Sequence, residues 1–470
     1  MNQLLATALY TAVIGGMFWL DRDKKAKTSP GLWVPVMWLL VIASRPLSEW
    51  LVAFHFLDGS PMGSGGADAM LDGNPVDRNF YSGLLFLGLI VLVSRRQKIG
   101  QLLRLNLPVV LFFAYCLISA AWSPYPDVAL KRWVKGLGDV TMVLVVLTDR
   151  DPKTALKALF TRCGFVLIPL SILYIKYYPD VGRSYNHWTW TYSYGGVTTN
   201  KNTLGMICML FGVASVWRLL GALQSKDRNR WRVMMAHAGL LFFVGYLFYM
   251  ANSVTSLSCL MLASGILLFA HTKTLLRKPG LIHLLMLGMV AISFSVLFLG
   301  AGAGVMADTT GRDTTTLTGR TEIWKLALSM AGNPIVGTGY ESFWLGERLA
   351  RMWAIDPAIT QAHNGYLELY LNLGWVGEIL FLSILVTGYR NAFAAFKRHR
   401  HEGSILLIYI TIAVVYNFTE ATFRMTTPIW FYFLFSAIAL PIVTVRQQTK
   451  KKTLAVRELN PARTASLEAV

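Results

Sequence analysis

Ala362-His363-Asn364-Gly365-Tyr366-Leu367-Glu368 stands where a polar stretch, 301–365, meets an apolar run, 366–389. A run of that length forms a helix able to cross the ~30 Å hydrocarbon core of a bilayer. A histidine, an amide and a carboxylate are costly in the first turns of such a helix. They face a cavity or a partner rather than lipid. The junction sets two expectations: a bundle of membrane helices, and a polar site at the face where this helix begins.

Outward from the junction, apolar runs recur along the whole chain. They fall at 3–20, 31–55, 79–94, 105–122, 134–149, 159–177, 202–221, 233–250, 254–271, 281–300, 366–389, 404–418 and 427–445. The expected fold is an all-α polytopic membrane protein of 12 to 13 transmembrane helices, with the N-terminus outside and the C-terminus inside. The composition agrees, at 54% hydrophobic and 15% charged, with a mean hydropathy of +0.47. The run at 3–20 lacks a basic leader and meets Asp21-Arg22-Asp23, so it reads as a retained helix rather than a cleaved signal.

The division expected is a transmembrane bundle over 1–300 with an outer loop at 178–201, and a periplasmic loop over 301–365 containing an amphipathic helix. C-terminal transmembrane helices follow over 366–445, then a basic cytoplasmic tail over 446–470. A net charge of +19 raises the question of nucleic acid, but the distribution answers it. Thirty of the 44 Lys and Arg residues lie in the segments assigned to the cytoplasm, as the positive-inside rule requires. The remainder, at or near the outer face, include Lys131, Arg132, Lys135, Arg183, Lys201, Arg312, Arg320, Arg348, Arg351 and Arg424.

Candidate chemistry gathers at that face. Asn364, Glu368 and Asn372 fall at i, i+4 and i+8 on one helical stripe, with His363 at its mouth. An imidazole there can take a proton from a hydroxyl near neutral pH. A capping role for His363, and hydrogen bonds from the stripe to neighbouring helices, stand as the alternative. Arg320 opens an amphipathic segment, 319–331, whose free backbone N–H groups and guanidinium suit a phosphate. Its apolar residues Ile323, Leu326, Ala327 and Met330 suit the membrane surface, and Asn333-Pro334 ends it. Snorkelling to water is the plainer role for such an arginine.

Arg183 and Lys201, beside Asn202, repeat the phosphate logic in the other outer loop, where Tyr185, Trp188, Trp190, Tyr192 and Tyr194 read as an interfacial belt or sugar platforms. Arg132, next to Trp133, is a further phosphate contact. Residues 56–78, with Gly63-Ser64-Gly65-Gly66, read as a flexible loop. Arg45/Glu49 and Glu420/Arg424, each at i, i+4, read as internal salt bridges. The four cysteines stand singly in apolar runs, so neither a disulfide framework nor a metal cluster is expected. No paired carboxylates and no phosphate-loop motif point to metal- or ATP-dependent chemistry, and no cofactor is expected.

Gly319-Arg320-Thr321-Glu322-Ile323-Trp324, Pro334-Ile335-Val336-Gly337-Thr338-Gly339 and Ala362-His363-Asn364 with Leu367-Glu368 and Leu373-Gly374 resemble the O-antigen ligase and polymerase family. Gly196-Val197-Thr198-Thr199-Asn200-Lys201-Asn202 is similar to its exopolysaccharide polymerase members. The resemblance implies a GT-C-like, metal-independent glycosyltransferase of the bacterial inner membrane. Its implied donors are undecaprenyl-pyrophosphate-linked glycans at the periplasmic face, and its acceptor is a glycan or lipid A-core. It implies His363 as base in an inverting transfer and Arg320, with Arg183 or Lys201, at the departing pyrophosphate. A helper that sets chain length is a further partner. One departure is that Ala251-Asn252-Ser253-Val254-Thr255-Ser256 lacks the arginine of the family's Ser-Arg pair. Polymerase is favoured over ligase. Transport of a lipid-linked glycan and a structural scaffold are the readings from other classes, and the absence of internal repeats weighs against transport.

Overall fold

A computed structural model describes residues 2–23, 26–57, 71, 73–186, 191–272, 275, 277–298, 318–355 and 359–438. The glycine run at 63–66, Trp188, Trp190, Arg312 and the basic tail lie outside the described residues. Among the helices of seven or more residues, the first eight are α1 (Gln3–Leu20), α2 (Trp33–Ile42), α3 (Leu47–Ala53), α4 (Pro75–Val93), α5 (Arg96–Leu105), α6 (Leu107–Ile118), α7 (Pro126–Leu147) and α8 (Pro152–Tyr177). Then come α9 (Lys201–Gln224), α10 (Arg230–Ala251), α11 (Val254–Ala270), α12 (Leu281–Phe298), α13 (Thr318–Ser329), α14 (Gly346–Trp353), α15 (Gly365–Arg398), α16 (Arg400–Tyr416) and α17 (Pro428–Ala437).

Local chemistry sets several of these starts. Asn74-Pro75, Asp151-Pro152 and Thr427-Pro428 each place a capping side chain before a proline at the first helical position. The cap accepts a backbone N–H that the helix leaves open, and the proline has none to leave. Each of the thirteen expected spans contains one of these helices or a bent pair. Among the described residues, six helices are long and apolar enough to cross a membrane, or eight if each of two bent pairs is one span. Those pairs bend by 63° between α2 and α3 and by 87° between α5 and α6. α11, α12 and α17 are apolar but shorter. α7 falls outside that count because its first half carries Asp127, Lys131, Arg132 and Lys135. The protein is an all-α, polytopic membrane protein, with one short hairpin of β1 (Arg183–Asn186) and β2 (Thr191–Tyr194).

The core runs through the second half of α7 and through α8, α9, α16 and α17, which are apolar around most of their circumference. α1 and α4 border it with most of their apolar surface outward. Phe160, Tyr409 and Tyr432 stack at its centre, with centroids 5.0–5.5 Å apart.

Two sequence expectations change. Residues 318–329 form a helix, and Ile323, Leu326, Ala327 and Met330 have partners within the chain itself. They pack with Phe343, Trp344, Leu349, Met352 and Ile359 into a second, smaller core. The loop supplies its own apolar partner in α14. Arg45 also makes no direct ion pair with Glu49, although the two charges still act on each other at longer range. Its guanidinium donates to the carbonyls of Val181 (2.5 Å) and Thr198 (2.8 Å), and so ties the hairpin segment to the bundle. Converging backbone carbonyls use an arginine's fixed fork of donors better than one carboxylate a helical turn away.

Candidate functional site

The segment 333–345 reaches from the loop into the bundle and closes on α15. Thr338 N donates to Leu371 O (3.1 Å) and Gly339 N to Asn372 O (2.8 Å), while Trp375 N and Val376 N donate to Pro334 O and Ile335 O (both 3.0 Å). That pairing requires a break in α15, and Gly374 supplies it with φ 62° and ψ −165°. The polar stripe read along α15 serves this docking. Asn372 Oδ1 accepts Ser342 N (2.8 Å) and Phe343 N (3.0 Å). Glu368 is buried and accepts from Trp344 Nε1 (2.7 Å) and Ala362 N (2.5 Å). Both side chains spend these bonds on the protein's own N–H groups.

The same bonds fix His363. Ala362 is held by Glu368 at its N–H and by Trp324 Nε1 at its carbonyl, 2.8 Å away. Asn364 caps α15, accepting Tyr366 N (3.1 Å) and Leu367 N (3.0 Å). Between them His363 is forced to φ 51°, a left-handed conformation that non-glycine residues adopt only when their surroundings impose it.

Facing it is a residue assigned above to a structural pair. Glu420 lies on the turn after α16, its Oε2 3.4 Å from His363 Nδ1 and its Oε1 3.9 Å from Arg320 Nη2. Asn202 Nδ2 donates to the same Oε1 at 3.2 Å, and Gln361 Nε2 lies 3.4 Å from His363 Nδ1. Three of the candidates read from sequence, His363, Arg320 and Asn202, thus meet on one carboxylate. Side-chain exposures of 30% for His363, 26% for Arg320 and 14% for Glu420 leave the group open to a ligand from one side. The segment lacking the family's arginine adjoins it, with Ser256 Oγ 3.3 Å from Tyr416 Oη, which donates to Asn202 O (3.4 Å).

The expected Glu420–Arg424 pair does not form. The i, i+4 rule holds on a helix, and α16 has ended at Tyr416. Asn417 shapes the turn instead: its Oδ1 accepts Thr422 N (2.8 Å) and Phe423 N (3.0 Å), and its Nδ2 donates to Ala413 O (2.8 Å) and Thr422 Oγ1 (2.7 Å). Asp139 pins the far end through Thr426 N (2.8 Å). Arg424 turns away to Glu341 Oε2 (3.0 Å), whose charge raises the Arg424 pKa still further above its usual value. Asn417→Ala leaves two buried N–H groups without an acceptor, at about 1–3 kcal/mol each. Thermal unfolding in detergent should show that loss, and an unchanged midpoint would refute this role.

The remaining candidates sit elsewhere. Arg183 Nε donates to Ile175 O (2.7 Å), and its guanidinium lies 5.9 Å from the Tyr194 ring centroid. It belongs to the hairpin edge. Lys201 begins α9 beside Asn202. Arg132 donates to the carbonyl of Glu341, joining the Arg424 group rather than His363. Glu420, Asn417 and Glu341 were missed as functional or organising residues. For Glu420 the one signal is a carboxylate on an outer turn, which reads as a local pair with Arg424; Asn417 and Glu341 carry no such signal.

Residues 238–382 match the O-antigen ligase family (Wzy_C). That span takes in Arg320, His363, Asn364 and the Gly374 break, and stops before Glu420. Over 312 residues, 64% of this chain and 68% of the relative, the sequence is 28% identical to the exopolysaccharide production protein ExoQ of Rhizobium meliloti (strain 1021). No solved structure matches. In these matches and the motifs they cover, the chain is similar to the O-antigen ligase and polymerase family.

Proposed function

We propose that this protein is a metal-independent, inverting glycosyltransferase of the bacterial inner membrane that joins undecaprenyl-pyrophosphate-linked glycans at the periplasmic face. The observation that carries the reading is the sharing of Glu420 by His363 and Arg320. With Nδ1–H directed to Glu420, His363 keeps its lone pair on Nε2, where a hydroxyl proton can be received. The acceptor oxygen attacks the anomeric carbon on the face opposite the diphosphate. The carbon–oxygen bond to the diphosphate breaks and its electron pair leaves with that group, while the hydroxyl proton passes to Nε2. Arg320 stabilises the departing charge. A good leaving group needs little more than positioning and fixed cations.

The relative's description as an exopolysaccharide production protein favours polymerisation of repeat units. The family's description favours the second reading, transfer of a finished glycan to lipid A-core as a ligase. Product size separates them. The purified protein in nanodiscs, given the host's undecaprenyl-pyrophosphate oligosaccharide, should yield a ladder without lipid A-core. A single transfer that requires lipid A-core would establish the ligase. Movement of intact donor across liposomes without covalent change would overturn both in favour of transport.

A further inference from the structure

A second cationic centre lies apart from His363. A cavity of about 290 Å³ opens between the starts of α4 and α7 and the turn at Arg424, and Arg78, Lys131, Arg132, Lys135 and Arg424 all line it. Among the described residues the one carboxylate in its wall, Asp77, is engaged by Ser48, whose N and Oγ lie 2.9 and 2.6 Å from its two oxygens. Glu341, just outside, pairs with Arg424. Asp139 acts on Lys135 and Glu368 on Arg424 from behind the wall, so among the described residues five cations face four carboxylates.

Such an arrangement works against stability. Lys131 and Lys135 are like charges at i, i+4 on one helix, where repulsion is expected. Lys135 Nζ has left water to lie 4.4 Å from the Tyr81 ring centroid. Cations gathered on a partly dry cavity need an anion to balance them. Leu85 and Val134 add apolar surface to the lining. Leu85 leads into the outward face of α4, where Phe86, Leu89, Ile90 and Val93 are exposed. The cations suit phosphate, and the exposed face of α4 beside them suits a hydrocarbon chain.

We propose that this cavity binds the phosphate or diphosphate of a lipid whose apolar chain lies along α4, at a site separate from the His363 cluster. Only the identity of that lipid rests on the function proposed above, under which it is the carrier of the second glycan in the transfer. The turn at 417–427 joins the two centres, with Glu420 in one and Arg424 in the other.

Native mass spectrometry of the full chain, released from phosphatidylcholine nanodiscs, tests this by counting bound undecaprenyl pyrophosphate. Arg78 and Lys131 are exposed, so Arg78→Gln with Lys131→Gln should leave the fold intact. The double variant should bind one lipid fewer than the parent, with that site weakened at least about tenfold. An equal lipid count in parent and variant would overturn the site. Inorganic pyrophosphate binding there as tightly as the lipid would overturn its amphiphilic character. A parallel titration with phosphatidylglycerol separates the sources: equal affinity would keep the site but remove the carrier assignment. Product formation that survives His363→Ala would sink the transfer mechanism and leave this result standing.

Discussion

His363→Ala should lower product formation by about 10²–10⁴-fold, the range that a lost general base commonly costs, with no loss of folded protein. The side chain is 30% exposed and packs no core, so its removal opens no cavity. Its backbone is the complication. At φ 51° an alanine is strained where histidine is already held, and a defect could arise from the chain rather than the ring. His363→Asn controls for this, because asparagine tolerates the left-handed region but supplies no base. Both variants should be inactive. Full turnover in either would remove His363 from the mechanism. Glu420→Gln should fall between, since an amide still accepts the Nδ1 proton but no longer stabilises the cation formed on the ring.

The candidate site was legible in sequence only where its parts are local. His363 and Asn364 were found because polar groups at the start of an apolar helix are costly wherever the helix leads. Arg320 was found because a cation at a helix start has a use in itself. Glu420 was misread because its partners are remote: Asn202 is 218 residues away and His363 57. Nothing in the residues around Glu420 announces that Asn417 ends the helix and turns the chain. Arg424 likewise finds Glu341 across 83 residues.

The fold divides in the same way. Hydropathy locates the helices because lipid imposes one rule on every span. It is silent on which helices bend, and on a polar loop that enters the bundle. That entry depends on a backbone match between Pro334–Gly339 and a broken α15, and such a match leaves no mark in composition.

Gly374→Ala should damage the fold severely, costing several kcal/mol of stability and the product with it. Gly374 combines φ 62° with ψ −165°, a region open essentially to glycine alone, where a side chain costs about 1–3 kcal/mol from strain. Sterics add to this. A Cβ there would lie 2.4 Å from both the carbonyl carbon and the oxygen of Ile335, and backbone atoms cannot swing aside as a side-chain tip can. Relief requires that 334–339 withdraw, which breaks the Trp375 and Val376 amide bonds to that segment. Because Asn372 and Glu368 hold the same segment and Ala362, the disturbance reaches His363 within three turns of helix. Gly239→Ala is the matched control. It lies inside α10, a Cβ there meets nothing within 4 Å, and alanine suits a helix interior better than glycine by about 1 kcal/mol. Unfolding midpoints and yields in detergent should fall for Gly374→Ala and hold or rise for Gly239→Ala. Equal behaviour of the two would mean that the docking of 334–339 onto α15 does not support the fold.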